Sequence, residues 1–238
     1  MTPEEDRAGQ SSGVGLARLL QFGDSSFPIG GFSFSNGLES AIQQRVVTDA
    51  ASLLAFARTA TIQTARGDGV ALIHAHRAAR IDDLAEVGRI DERVFARKLS
   101  SESRTMSVRM GRKAAELGAE AINAPVVAAW RDRIESGATP GCYPISLAVN
   151  FAAQELGDRE AFAVHQYGVA ATILSAGLRL MRIGHVETQK MLYSLSSGVE
   201  TAYLRAAASS LDDMSGFAPM TEILTAVHVK AHVRLFMN

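Results

Sequence analysis

The sequence is poor in the residues that build most sites. Cysteine occurs once in 238 residues, as Cys142. A lone thiol excludes an intrachain disulfide and any cysteine-based zinc site. It suits a reducing compartment, and a cytoplasmic location is expected. Excess charge of one sign is also missing. The 24 basic and 25 acidic side chains leave a net charge of −1, which excludes a strongly basic nucleic-acid binder and an acidic tail protein. No bare apolar run reaches the roughly 18 residues of a membrane span. The nearest, 162–180, is interrupted by His165, Gln166 and Arg179, so no membrane association is expected. Residues 1–12 carry Glu4, Glu5 and Asp6, where a secretory signal needs a basic start and an apolar body. They read as a short disordered leader.

Catalytic signatures are absent as well. The sequence has no Gly-Lys dipeptide, which removes the phosphate-binding loop of nucleotide hydrolases. Gly13–Val14–Gly15 lacks the third glycine of a dinucleotide fingerprint, and Gly31–Phe32–Ser33–Phe34–Ser35 lacks the second glycine of a nucleophile elbow. Cys142 has no local partner that would activate it. No acid–base or nucleophile set emerges, so the chain is not expected to be an enzyme and no intrinsic cofactor is expected.

What is present is helix-forming. There are 38 alanines against six prolines, the best and worst helix residues. Apolar residues recur at three- and four-residue steps. The pattern predicts an all-α single-domain bundle of about ten helices. The segments are 14–22, 34–44, 49–65, 69–79, 83–90, 96–117, 124–136, 145–156, 159–181, 186–195 and 199–209. Thr48 and Asp158 are placed to cap helix starts, and Pro125 suits a first turn. Residues 161–180 are apolar almost all round, which predicts a central helix. Gly168, Ser175, Ala176 and Gly177 on it are small enough to admit close neighbours. No linker divides residues 13–209. Residues 210–238 turn polar and then end in a further periodic piece, 223–236, and read as a C-terminal arm.

Two clusters offer alternative functions. His228 and His232 are four residues apart, on one helical face at the spacing of two metal ligands. Val229 stands where a zinc protease needs its glutamate, so this pair suits nickel or another metal as a ligand without hydrolysis. Residues 89–113 hold eight basic side chains (Arg89, Arg93, Arg97, Lys98, Arg104, Arg109, Arg112 and Lys113) and one aromatic, Phe95. A nucleic-acid surface usually adds stacking rings to such charge. A solvated helix face, or a surface for an acidic protein, accounts for it more simply.

Four blocks carry a resemblance. The first runs from Leu19 to Glu39 and contains Pro28, Gly30, Gly31, Phe32, Gly37, Leu38 and Glu39. The second is Glu102–Ser103–Arg104 with Gly111. The third runs from Arg179 through Gly184 to Gln189. The fourth is the ending Arg234–Leu235–Phe236–Met237–Asn238. In this order, over nearly the whole chain, they resemble the UreF urease accessory proteins. The sequence departs from the family pattern at Val229, Thr188 and His185, which bears on tail docking and partner contacts.

The resemblance implies a non-enzymatic scaffold for urease maturation. It implies a homodimer that binds the accessory protein UreD (also called UreH), recruits the GTPase UreG and engages apo-urease. Nickel and GTP would be carried by that GTPase, whose cycle the scaffold would regulate. The expected partner-binding residues are Phe32, Glu39, Arg179, His228, Arg234, Leu235 and Phe236. Glu39 is expected to answer an arginine such as Arg104 or Arg179. Gly184 is expected to end the long helix.

Overall fold

The alanine-rich periodicity is realised as helix throughout. The computed structural model describes residues 13–216, 224, 235 and 236. Among these there are eleven α-helices and no strand. They are α1 Gly13–Gly23, α2 Leu38–Gln43, α3 Ala50–Thr64, α4 Val70–Ala79, α5 Leu84–Arg97, α6 Ser101–Ile122, α7 Pro125–Glu135, α8 Tyr143–Ala153, α9 Asp158–Leu180, α10 His185–Ser196 and α11 Val199–Ala207. The expected leader lies outside the described residues.

Side-chain caps start α3, α5 and α6. Asp49, not Thr48, starts α3: its carboxylate accepts the Ser52 N–H at 2.8 Å, and Ser52 answers the Asp49 N–H. This reciprocal pair satisfies two otherwise free donors. Gly157 takes the cap position of α9, and Asp158 falls inside the helix. Asp158 instead binds Arg77 at 2.9 Å and the Tyr203 hydroxyl at 2.8 Å. The expected break between α3 and α4 is a π-helical turn, Ala65–Gly69, so helix runs on from Ala50 to Ala79. Ser100 caps α6 by accepting the Ser103 N–H, which moves that start from the expected 96 to 101. Gly184 does not end the long helix. Helix α9 stops at Leu180 in extended backbone, and Gly184 is the cap of α10.

Helix α9 occupies the centre, packed by α1, α2, α3, α4, α8, α10 and α11. It is long and apolar enough to cross a membrane, yet its apolar faces meet these neighbours. Gly177 is one reason they fit, because a Cβ there would sit 2.8 Å from Leu53. Gly168 and Ser175 do not serve packing: the first faces open space and the second is exposed. The most enclosed helix is α8, buried at every position from Pro144 to Ala152. It lies against α6, where Gly111 presses on the backbone of Gly141 to Tyr143. Asp91, fully buried on α5, fixes the loop before α8. It accepts the Thr139 hydroxyl and Gly141 N–H at 2.6 Å and the Cys142 N–H at 2.8 Å. A buried carboxylate is tolerated when donors surround it in this way.

Candidate functional site

The site forms where the N-terminal loop, α2, the end of α9 and the chain terminus meet. Pro28 opens the loop. Gly30 then takes a left-handed conformation (φ 79°) and starts a 3₁₀ turn, Gly31–Ser33. Such a φ favours glycine because a Cβ would crowd the backbone. Gly31 rests near the Met110 side chain of α6. The turn leaves the Phe32 ring outside, 72% exposed. Asn36 and Gly37, also left-handed, reverse the chain into α2, so that Glu39 lies in its first turn with its carboxylate inside.

Glu39 is only 4% exposed. One carboxylate oxygen (Oε1) accepts the Leu235 N–H at 2.8 Å. The other (Oε2) accepts the Phe236 N–H at 3.1 Å. Charged acceptors make bonds roughly twice as strong as neutral ones. The α2 N-terminus adds favourable positive potential. Arg104, one expected partner of Glu39, is held elsewhere: its Nε donates to the Lys98 carbonyl at 2.7 Å, and its guanidinium lies over Phe95.

Arg179, in the last turn of α9, joins loop to terminus. Its guanidinium carbon lies 4.0 Å from the centre of the Phe236 ring. Its Nη2 donates to the Phe32 carbonyl at 2.8 Å. Partial burial lowers the guanidinium pKa, but arginine stays charged in the physiological range. The Phe236 ring is buried with Leu38, Ile173 and Leu174, while Leu235 is exposed. Phe32, Glu39, Arg179, Leu235 and Phe236, distant in sequence, thus share one place. His228, His232 and Arg234 lie outside the described residues.

The other singled-out residues are elsewhere. Glu102 and Arg104 lie at the start of α6, Gly111 in its α8 contact, and Gly184 and Gln189 at the start and on the exposed side of α10. The basic stretch is largely paired. Arg89 meets Glu86, Arg93 meets Asp212, Lys98 meets Asp68 and Lys113 meets Glu116. That is a balanced surface rather than a free cationic stripe.

Sequence reasoning missed several exposed apolar side chains. On α1, Gly15 and Phe22 point inward, while Val14, Leu16 and Leu20 point to solvent; Tyr167 of α9 is exposed too. The signal was available, because apolar residues on α1 cover more than the one stripe that a packed helix needs.

The arrangement is suited to holding main chain. Glu39 supplies two acceptors to consecutive N–H groups, and Arg179 supplies a cationic lid to the ring between them and the loop. Among the described residues, no group of three or more His, Cys, Asp or Glu is placed to hold a metal ion.

Comparison with known proteins agrees with the family resemblance. The UreF family profile matches residues 47–196. Urease accessory protein UreF 2 of Brucella canis is 54% identical over 224 residues, covering 94% of this chain and 92% of the relative. UreF 1 of Brucella melitensis is likewise 54% identical, at 94% and 93% coverage. UreF of Yersinia enterocolitica is 48% identical over 223 residues, at 94% and 98%. Identity at this level over nearly the full length of both chains, on an all-helical fold, places this chain in the UreF family of urease accessory proteins.

Proposed function

We propose that this chain is a non-enzymatic scaffold for nickel insertion into urease. It binds UreD, and the pair recruits the nickel-carrying GTPase UreG to apo-urease in the cytoplasm. Nickel and GTP stay with that GTPase. The chain regulates its cycle by binding one nucleotide state more tightly than the other, the only way a scaffold can shift such an equilibrium.

One observation supports this most directly. Five of the residues expected to bind partners converge on the Glu39–Arg179 clamp around Leu235 and Phe236. The clamp gives Leu235 and Phe236, near the end of the C-terminal arm, a defined seat beside the exposed Phe32 ring. The arm and this ring form the partner surface. Leu16 and Leu20, exposed on one side of α1, supply apolar surface for a homodimer. A monomer mass by light scattering at micromolar concentration overturns the dimer.

The test removes the arm. A chain truncated before Ile223 is co-expressed with UreD and purified through it. The expected result is loss of co-purification with the helical far-UV signal retained. Undiminished capture of the truncated chain by UreD overturns the assignment of the arm.

A further inference from the structure

The buried apolar side chains form two separate groups. The larger unites α4, α5, α7 and α8 with Ala161, Phe162 and Val164 at the start of α9. The smaller unites α2, α3 and α10 with Ile173, Leu174 and Ala176 near the end of α9, and it includes Leu224 and Phe236. Among the described residues, α2, α3 and α10 pack on α9. Apart from the direct join of α3 to α4, they make no more than glancing contact with α4 to α8.

Two helical stretches cross from one group to the other, and both are weakened where they cross. One is α9. Its residues at this level are His165, Gln166, Tyr167 and Gly168. His165 and Gln166 are each 3% exposed. His165 Nδ1 and Gln166 Nε2 are buried without a hydrogen-bond partner among the described residues. Gly168 faces open space, so no neighbour demands a glycine there, and an interior glycine weakens a helix relative to alanine.

The other crossing is the continuous helix from α3 to α4, interrupted by the π-turn Ala65–Gly69. The two meet here, since a Cβ on Gly69 would lie 2.5 Å from the Phe162 ring. The turn carries Asp68, which holds the Lys98 ammonium at 2.5–2.7 Å, about four-fifths buried. Both charges act on His165. A polar layer therefore lies between two dry cores. Separating the cores there returns unpartnered polar atoms to water, which offsets part of the cost of opening.

We infer that α2, α3, α10, the second half of α9 and the docked terminus form a cooperative unit that opens at this polar layer while α4 to α8 stay folded. Regions with separate buried cores commonly open as separate units. The clamp belongs to the more easily opened unit. The proposed partner surface can then rearrange without disturbing the main core.

Hydrogen exchange read by mass spectrometry on the full chain, in low concentrations of denaturant, tests this without any partner. Amides of α2, α3 and α10 are expected to exchange through a shared opening populated at least about 30-fold more than the opening that exposes α4, α5 and α8. Its denaturant dependence should be smaller, because less surface is exposed. Ile145→Val, in the larger core, should speed exchange of α4, α5 and α8 about five-fold and leave α2, α3 and α10 unchanged, because their opening keeps that core packed. A single opening with one denaturant slope for both sets overturns the inference. So does equal acceleration of both sets by Ile145→Val.

Discussion

Glu39→Gln tests the clamp with almost no change of volume. The wild-type carboxylate accepts two main-chain N–H groups, at 2.8 and 3.1 Å. A hydrogen bond to a charged group contributes about 1.5–3 kcal/mol. Glutamine keeps one acceptor and turns the other oxygen into a donor. One bond is lost, the survivor loses its charge, and an NH₂ group then faces an N–H group. The sum is about 3 kcal/mol against the docked terminus, roughly a 100-fold shift in its docking equilibrium. The donors themselves supply the assay. Amide exchange at Leu235 and Phe236, followed by NMR, should accelerate by about that factor, while amides of α8 keep their protection. Glu39→Asp should fall between the two, since a side chain one carbon shorter cannot reach both donors equally well. Unchanged exchange at Leu235 and Phe236 in Glu39→Gln would refute the clamp.

Two further predictions concern the core. A Cβ on Gly111 would collide with the carbonyl of Gly141 and the backbone of Cys142 and Tyr143, which cannot move as a side-chain tip can. Gly111→Ala should therefore cost about 3 kcal/mol, or roughly 10 °C in Tm for a chain of this size, whereas Gly168→Ala, in open space, should not lower Tm; equal melting of both variants would contradict the close approach of α6 and α8. His165 is buried, which lowers its pKa from 6.5 to about 4. The folded state then binds fewer protons than the unfolded state between those values, so stability is full above pH 6.5 and falls as pH drops toward 4, by about 2 kcal/mol at pH 5. Buried His76 shifts in the same direction. Denaturant titrations of His165→Leu should show a shallower but not flat dependence over this range, and a slope equal to wild type would rule out the buried neutral imidazole.

The helical bundle was readable because period and composition act locally. Alanine and three- to four-residue spacing place most helices, and Pro125 begins α7 as expected. What escaped depends on groups without a side-chain signature. Opposite charge, visible in a sequence, led to arginines as partners for Glu39; its bonds to the N–H groups of Leu235 and Phe236, which any residue carries, had no such signal. Asp91 lies within the charged stretch 89–113, which by composition reads as a solvated face. It is buried because Thr139, Gly141 and Cys142 offer three donors from a loop about fifty residues away. The Arg66–Gly67–Asp68–Gly69 run reads as a helix break, yet a π-turn absorbs the irregularity and keeps the helix continuous. Phe32 and Phe236 show the reverse: turn glycines and the terminal motif mark them, and the fold brings both to Arg179.

The burial of Cys142 has a practical consequence. It is the chain's only thiol, it is fully buried, and burial with Asp91 nearby pushes its pKa well above that of a free thiol. A maleimide needs the thiolate and access to it, so the native cysteine stays silent while α8 is folded. A second cysteine placed at exposed Tyr193 would take a dye selectively with Cys142 left in place. The native thiol would then serve as an internal clock, reacting only when the central core comes apart.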